Sequence, residues 1–319
     1  MKITHKNIQG IIIKIIGALV IAWSLSGCSA EEAREFFDLT PALRTPPADV
    51  SAVPVFSSDG SAATGSLTEE AVIPEVPENA PSDESAFYKT PDISSLADYP
   101  KMWTKKYTGE YEKTDKTVYL TFDDGPSENT GVILKILKDN GVKASFFVVP
   151  DEGEVCAARL RAIAAEGHTI GIHSYTHNYL TVYADEKAFT DDFAKAYDIV
   201  VKAVNQKPWL YRFPGGSVNQ YNRGCREEIK EAMDKRGFVY YDWNVDSNDW
   251  RGLSVEELCG SVAADASRFN NPIILMHDTD TRENTAKALD RIIKELKRQG
   301  FKFAPLTPRT EPIQYGVNW

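Results

Sequence analysis

The chain has 319 residues, 42% of them apolar and 11% aromatic, enough for one large domain or two ordinary ones with a sizeable core. Its 36 Lys and Arg against 46 Asp and Glu give a net charge of −10, which argues against a nucleic-acid partner. The charge is uneven: residues 1–28 carry three Lys and no acid, residues 29–100 carry 14 acids against three basic residues, and residues 101–319 are nearly balanced.

In chain order, Lys2, Lys6 and Lys14 come first, and Ile15 to Leu25 is free of charge. That run is too short to span a bilayer comfortably and suits the apolar region of an export signal. Leu25-Ser26-Gly27-Cys28 resembles the bacterial lipobox, in which the Cys is acylated and the leader is cut before it. A signal peptide over 1–27 and a lipidated Cys28 are therefore expected, placing the protein on the extracytoplasmic face of a cell membrane. Residues 28–110 read as an acidic, Pro-rich, disordered linker: nine of the 17 prolines lie between 29 and 100, and no apolar periodicity persists there. As a coil, this tether would average about 45–50 Å end to end.

From about residue 115 short apolar runs alternate with helical patterns. Strands are predicted at 118–122, 144–149, 168–173, 209–213, 238–241, 272–276 and 301–304. Between them, helices are predicted from about 132 to 140 and at 156–166, 185–205, 226–235, 254–267 and 283–299. Strands buried on both faces and alternating with helices predict one α/β domain with a parallel sheet, most simply barrel-like, over residues 111–310.

The polar residues cluster at carboxyl ends of these strands, where barrel sites gather. Asp123 and Asp124 follow the first strand, His173 ends the third, Arg212 lies in the fourth, Asp246 and Asp249 follow the fifth, and His277 follows the sixth. The turn at Gly125-Pro126 would aim the two carboxylates apart, one toward a cation and one toward a proton. His173 and His177 are four apart, a spacing that suits a helical first turn with both imidazoles on one face. Two imidazoles and a carboxylate make a common zinc set, although the pair alone reads equally well as ordinary polar side chains. His168 reads as a structural residue at the opposite rim. Gly215-Gly216 would let backbone N–H groups approach a ligand. Cys156, Cys225 and Cys259 lack a C-x-x-C spacing and read as small buried apolar residues.

In this order the motifs resemble the polysaccharide deacetylase family, carbohydrate esterase family four, over roughly residues 115–305. Thr121–Pro126, His173–His177, Arg212–Gly216, Asp246–Trp250 and Leu275–His277 look like its five motifs in turn. The resemblance implies a distorted (β/α) barrel with about seven parallel strands and metal-dependent removal of acetyl groups from glycans. Carried over, Asp124, His173 and His177 would hold a divalent metal, expected to be Zn2+. Asp123 would be the general base, oriented by Arg212, and His277 the general acid, supported by Asp249. Trp250 and Leu275 would line the pocket for the acetyl methyl, and the Gly215 N–H would meet the oxyanion. The family usually has an aromatic residue where this chain has Gly215, so a wider sugar groove is expected. A membrane-tethered enzyme would meet the N-acetylglucosamine units of peptidoglycan first; chitin oligomers, exopolysaccharide and xylan are the other candidate substrates. A catalytic domain acting as a monomer is expected. A glycan-binding module without turnover and a different metallohydrolase on the same rim are the competing readings.

Overall fold

The computed structural model describes residues 84–96 and 98–316. The expected signal peptide, Cys28 and the tether up to residue 83 lie outside the described residues. Two short strands, β1 (Tyr88–Lys89) and β2 (Lys106–Tyr107), pair antiparallel at the start. The alternating series follows: β3 (Thr117–Asp123), α1 (Thr130–Asp139), β4 (Ser145–Val148), α2 (Glu154–Ala165), β5 (Thr169–Ile172), α3 (Tyr179–Val182), α4 (Glu186–Val204) and β6 (Leu210–Tyr211). It continues with α5 (Arg226–Lys235), β7 (Val239–Tyr240), β8 (Val245–Asp246), α6 (Val255–Ala266), β9 (Ile273–His277), α7 (Glu283–Arg298) and β10 (Lys302–Phe303).

Seven parallel strands run in the order β7-β6-β5-β4-β3-β9-β8, and β10 pairs with the start of β3. Strands β7 and β8 are neighbours in sequence but occupy opposite ends of this path. The sheet is therefore a half-barrel, the distorted barrel expected above. Strand β8 is an addition to the predicted set.

The period of two along β3 sets the two sides of the sheet. Val118, Leu120 and Phe122 join the large core shared with the helices. Tyr119 points the other way and packs with Phe147, Leu210, Tyr241, Ile273 and Leu306 inside the barrel. This plug forms the floor beneath the polar residues at the carboxyl ends. Helix α4 is seated by Phe189, Phe193, Tyr197 and Val200, an apolar stripe at helical spacing. Asp185 caps it by accepting from the Ala188 N–H at 2.7 Å. All three described cysteines are free and buried.

The folded unit begins before residue 111, where the tether was expected to end. Met102 is only 2% exposed and belongs to the core. The Thr104 N–H donates to the Arg236 carbonyl, and the Arg236 guanidinium donates to the carbonyls of Asp98, Tyr99 and Met102. Composition hid this segment: its anchors are single apolar residues and backbone carbonyls, without periodicity. A chain beginning at residue 111 should melt at least about 5 °C below one beginning at residue 84, because burial of Met102 and the Arg236 bonds are lost. Equal melting temperatures would show that residues 84–110 contribute nothing to the fold.

Candidate active site

Arg212 stands at the centre of the site; it is completely buried, and its guanidinium reaches Asp123 at the carboxyl end of β3. The Arg212 backbone N–H donates to the Ile172 carbonyl, which fixes it beside β5. Its guanidinium donates to the Tyr241 carbonyl, the Thr121 hydroxyl and Asp123 Oδ1, each at 2.8 Å, and to the Asp242 carbonyl at 3.2 Å. The faces of Phe147 and Trp243 lie 4.2 and 5.5 Å from it. Burial raises the Asp123 pKa, and the charge of Arg212 opposes that rise. With Oδ1 held by Arg212, Oδ2 is the oxygen nearer His173, 3.8 Å from its Nε2.

Asp124 diverges from its neighbour because its backbone is left-handed, with φ of 73°. Such a conformation in a non-glycine residue is strained and common at functional sites. Asp124 Oδ1 comes within 3.5 Å of His173 Nε2 and 3.2 Å of His177 Nε2. It is buried and has no hydrogen-bond partner among the described residues. His173 Nδ1 is 2.8 Å from the Arg212 carbonyl, a contact that turns Nε2 toward Asp124. Burial lowers the His173 pKa to about 3, so the ring is neutral and its lone pair is available. The three ligand atoms lie within 4.8 Å of one another. Spacings of 3.2 and 3.5 Å match the edges of a tetrahedron with corners about 2.0–2.2 Å from its centre, the bond length of zinc to N and O ligands. The orphaned oxygen and the neutral imidazole therefore fit a divalent cation.

The two histidines meet through a loop and not on a helical turn. His177 is left-handed, with φ of 51°, so the four-residue spacing does not act as a helical repeat. Asp192 on α4 shapes this loop: it accepts from the Ser174 hydroxyl, the Tyr175 N–H, and the hydroxyl and N–H of Thr176, at 2.6–2.9 Å. The Ser174 hydroxyl in turn accepts from the His177 N–H at 2.9 Å.

His277 enters from β9. The register pairs it directly with Asp123 on β3, so both side chains reach the same face. Its Nδ1 is 2.6 Å from Asp249 Oδ1, and its backbone N–H donates to Asp249 Oδ2 at 2.8 Å. The Thr285 hydroxyl also donates to Oδ2, at 2.7 Å. Burial works against a charge on His277, but the Asp249 carboxylate, with Asp123 and Asp124 nearby, outweighs it and raises the pKa from 6.5 to about 9. This ion pair contributes stability that is complete below 6.5 and is lost as pH rises through about 9.

Asp123, Asp124, His173, His177 and His277 line one cleft of about 570 Å³, together with Asp246, Gly215, Trp250 and Leu275. Leu275 is buried beneath it, and Trp250 is 47% exposed at its edge. Gly215 is left-handed, and a side chain there would crowd Tyr179, whose Oη lies 3.1 Å from where a Cβ would stand. The expected widening of the groove is thus offset by Tyr179 from α3. His168 lies at the other end of β5, where its Nδ1 accepts from the Ala144 N–H at 3.0 Å.

Sequence reasoning missed Tyr179 and Trp243 in the cleft wall, and the carboxylates that hold its loops. Asp278, fully buried, accepts from the Ser127 and Thr130 hydroxyls at 2.6 Å and fills the space a side chain at Gly125 would need. Asp242, also fully buried, accepts from the N–H and hydroxyl of Ser217 and from the Tyr315 N–H. The available signal was an acid inside an otherwise apolar strand-end run, as at Tyr240-Tyr241-Asp242-Trp243.

Residues 110–233 match the polysaccharide deacetylase family model. A peptidoglycan-N-acetylglucosamine deacetylase of Bacillus cereus is 34% identical over 215 residues, spanning 65% of this chain and 74% of that protein. A chitooligosaccharide deacetylase of Rhizobium leguminosarum is 30% identical over 205 residues, spanning 60% of this chain and 91% of that protein. The crystal structure of the catalytic domain of a peptidoglycan N-acetylglucosamine deacetylase from Eubacterium rectale superposes with a TM-score of 0.62 at 32% identity, covering 66% of this chain and 98% of that one.

Replacing Asp249 with Asn removes the charge that favours imidazolium and leaves the burial that opposes it. The His277 titration midpoint, followed by NMR in the metal-free protein, should fall from about 9 by at least about one unit in Asp249→Asn. An unchanged midpoint would mean that another group holds the charge.

Proposed function

This chain belongs to the polysaccharide deacetylase family, and on that premise we propose that it hydrolyses the acetamide of N-acetylglucosamine units in cell-envelope glycan, most directly peptidoglycan. The observation that carries the reading is one cleft with a buried carboxylate on one strand and a charged imidazole paired with it across the register on the next. Groups poised with separated affinities for a proton are what acid–base catalysis requires.

Asp124, His173 and His177 would hold a divalent cation, Zn2+ by the softness and geometry of the set. Bound there, it would supply Lewis-acid polarisation of the acetyl carbonyl and a more acidic water. The chain's own residues do the remainder. Asp123 Oδ2 takes the proton from the attacking water while Arg212 keeps Oδ1 fixed. The Gly215 N–H has no acceptor among the described residues and is free to meet the oxygen that becomes negative. Asp249 engages His277 Nδ1, which leaves Nε2 to deliver a proton to the departing nitrogen. The C–N bond breaks, and acetate and a free amino sugar result. Leu275 and Trp250 line the space for the methyl and the sugar.

We place the enzyme on the outer face of a bacterial membrane, anchored through Cys28, with residues beyond the anchor as a spacer. The charged leader, its apolar run and the lipobox-like Leu25–Cys28 support this placement, and an anchored enzyme meets peptidoglycan before any other acetylated polymer.

Asp123→Asn should reduce acetate release about 10²–10⁴-fold and leave glycan binding intact. Wild-type rates in that variant would remove Asp123 as the base. Chelation should abolish release and added zinc should restore it, whereas Asp124→Ala should lose stoichiometric zinc binding itself, measured by metal analysis after dialysis. Full acetate release after exhaustive chelation would exclude the metal from the reaction.

A further inference from the structure

Tyr179 stands at the start of α3, whose first turn is capped by Asn178 accepting from the Leu180 and Thr181 N–H groups at 3.1 and 3.2 Å. The half-buried ring forms part of the cleft wall, with its centroid 5.4 Å from that of His177. It is one member of an aromatic stack: Tyr221 lies 5.1 Å and Tyr183 6.2 Å from it, centroid to centroid. The Tyr183 hydroxyl donates to the Pro214 carbonyl at 2.8 Å, which ties the stack to the turn bearing Gly215. Tyr179 differs from Tyr183 in one respect: its hydroxyl has no hydrogen-bond partner among the described residues. The ring stands beside Gly215, whose left-handed backbone strains any other residue and where a Cβ would come within 3.1 Å of its Oη and 3.3 Å of its Cζ. A phenol is protonated at neutral pH and serves as a donor on a rigid ring that costs little entropy to order.

We propose that Tyr179 is a substrate-contacting residue, its hydroxyl donating a hydrogen bond to an oxygen of the N-acetyl sugar seated in the cleft and its ring walling the sugar site beside Gly215. The proposal rests on the deacetylase reading of the cleft and adds to it a residue that governs sugar recognition.

The test is Tyr179→Phe in the full chain, which removes one oxygen and keeps the stack. Soluble peptidoglycan fragments and the N-acetylglucosamine tetramer are the probes. With the melting temperature unchanged, kcat/KM for acetate release should fall about tenfold. In an Asp123→Asn background, where no turnover intervenes, affinity for the bound glycan should fall by a similar factor. Rates and affinities within twofold of the parent would overturn the proposal. Loss of rate with affinity unchanged would also overturn it, because the hydroxyl would then act on the reacting carbonyl and not on the sugar. If the parent chain binds glycan but releases no acetate, the deacetylase reading fails, and the affinity comparison still decides the role of Tyr179. Binding of neither glycan would remove both.

Discussion

The buried pair of Arg212 and Asp123 is the constraint on which the rest of the site depends. A guanidinium with no exposure to solvent is tolerated only when its charge is balanced and its donors are satisfied. Here one carboxylate balances the charge, and three carbonyl or hydroxyl oxygens complete the shell. The acceptors come from β3 and from residues 241 and 242 just past β7, so the guanidinium joins distant strands across the open barrel interior. Below the pair, Tyr119, Phe147, Leu210 and Tyr241 form a buried apolar plug, with the Phe147 ring against the guanidinium. Truncating Asp123 to Ala would leave the guanidinium without its acceptor in a dry interior, whereas an amide at 123 keeps an oxygen for it to donate to.

Electrostatic asymmetry across the cleft follows from this pair. On one side lie Asp123, Asp124 and the neutral His173; on the other, the positively charged His277 on its Asp249 support. Two imidazoles of one chain are thus driven in opposite directions, to about 3 and to about 9. Burial depresses the first, which has only the Arg212 carbonyl at its Nδ1, while a buried carboxylate at hydrogen-bond distance raises the second. A neutral ring suits metal ligation and a protonated one suits proton donation, so one residue type fills two roles through environment alone.

Much of this was legible in the sequence because strand ends advertise themselves. Short apolar runs closed by Asp123-Asp124, His173 and His277 place these groups on one rim, and six of the seven strands of the parallel sheet follow from the same alternation, all but β8. What escaped was set by tertiary contact. Asp192 shapes the His173–His177 loop from a helix face, Asp242 and Asp278 hold loops through buried hydrogen bonds, and Tyr179 reaches Gly215 from α3. The start of the domain was hidden for a related reason: Met102 and the carbonyls gripped by Arg236 follow no period. The helical reading of the paired histidines failed because Asp192 offers their loop more hydrogen bonds than a first turn would, and His177 adopts a left-handed backbone.

The pH dependence of kcat/KM for acetate release tests the acid–base pair most directly. The account requires a bell. Activity should rise with pH as Asp123 loses its proton, and fall again on the alkaline side as His277, whose charged form Asp249 supports, loses its own. A rate that stays level to about pH 11 would remove His277 as the proton donor, and no acetate release at any pH would remove the reaction.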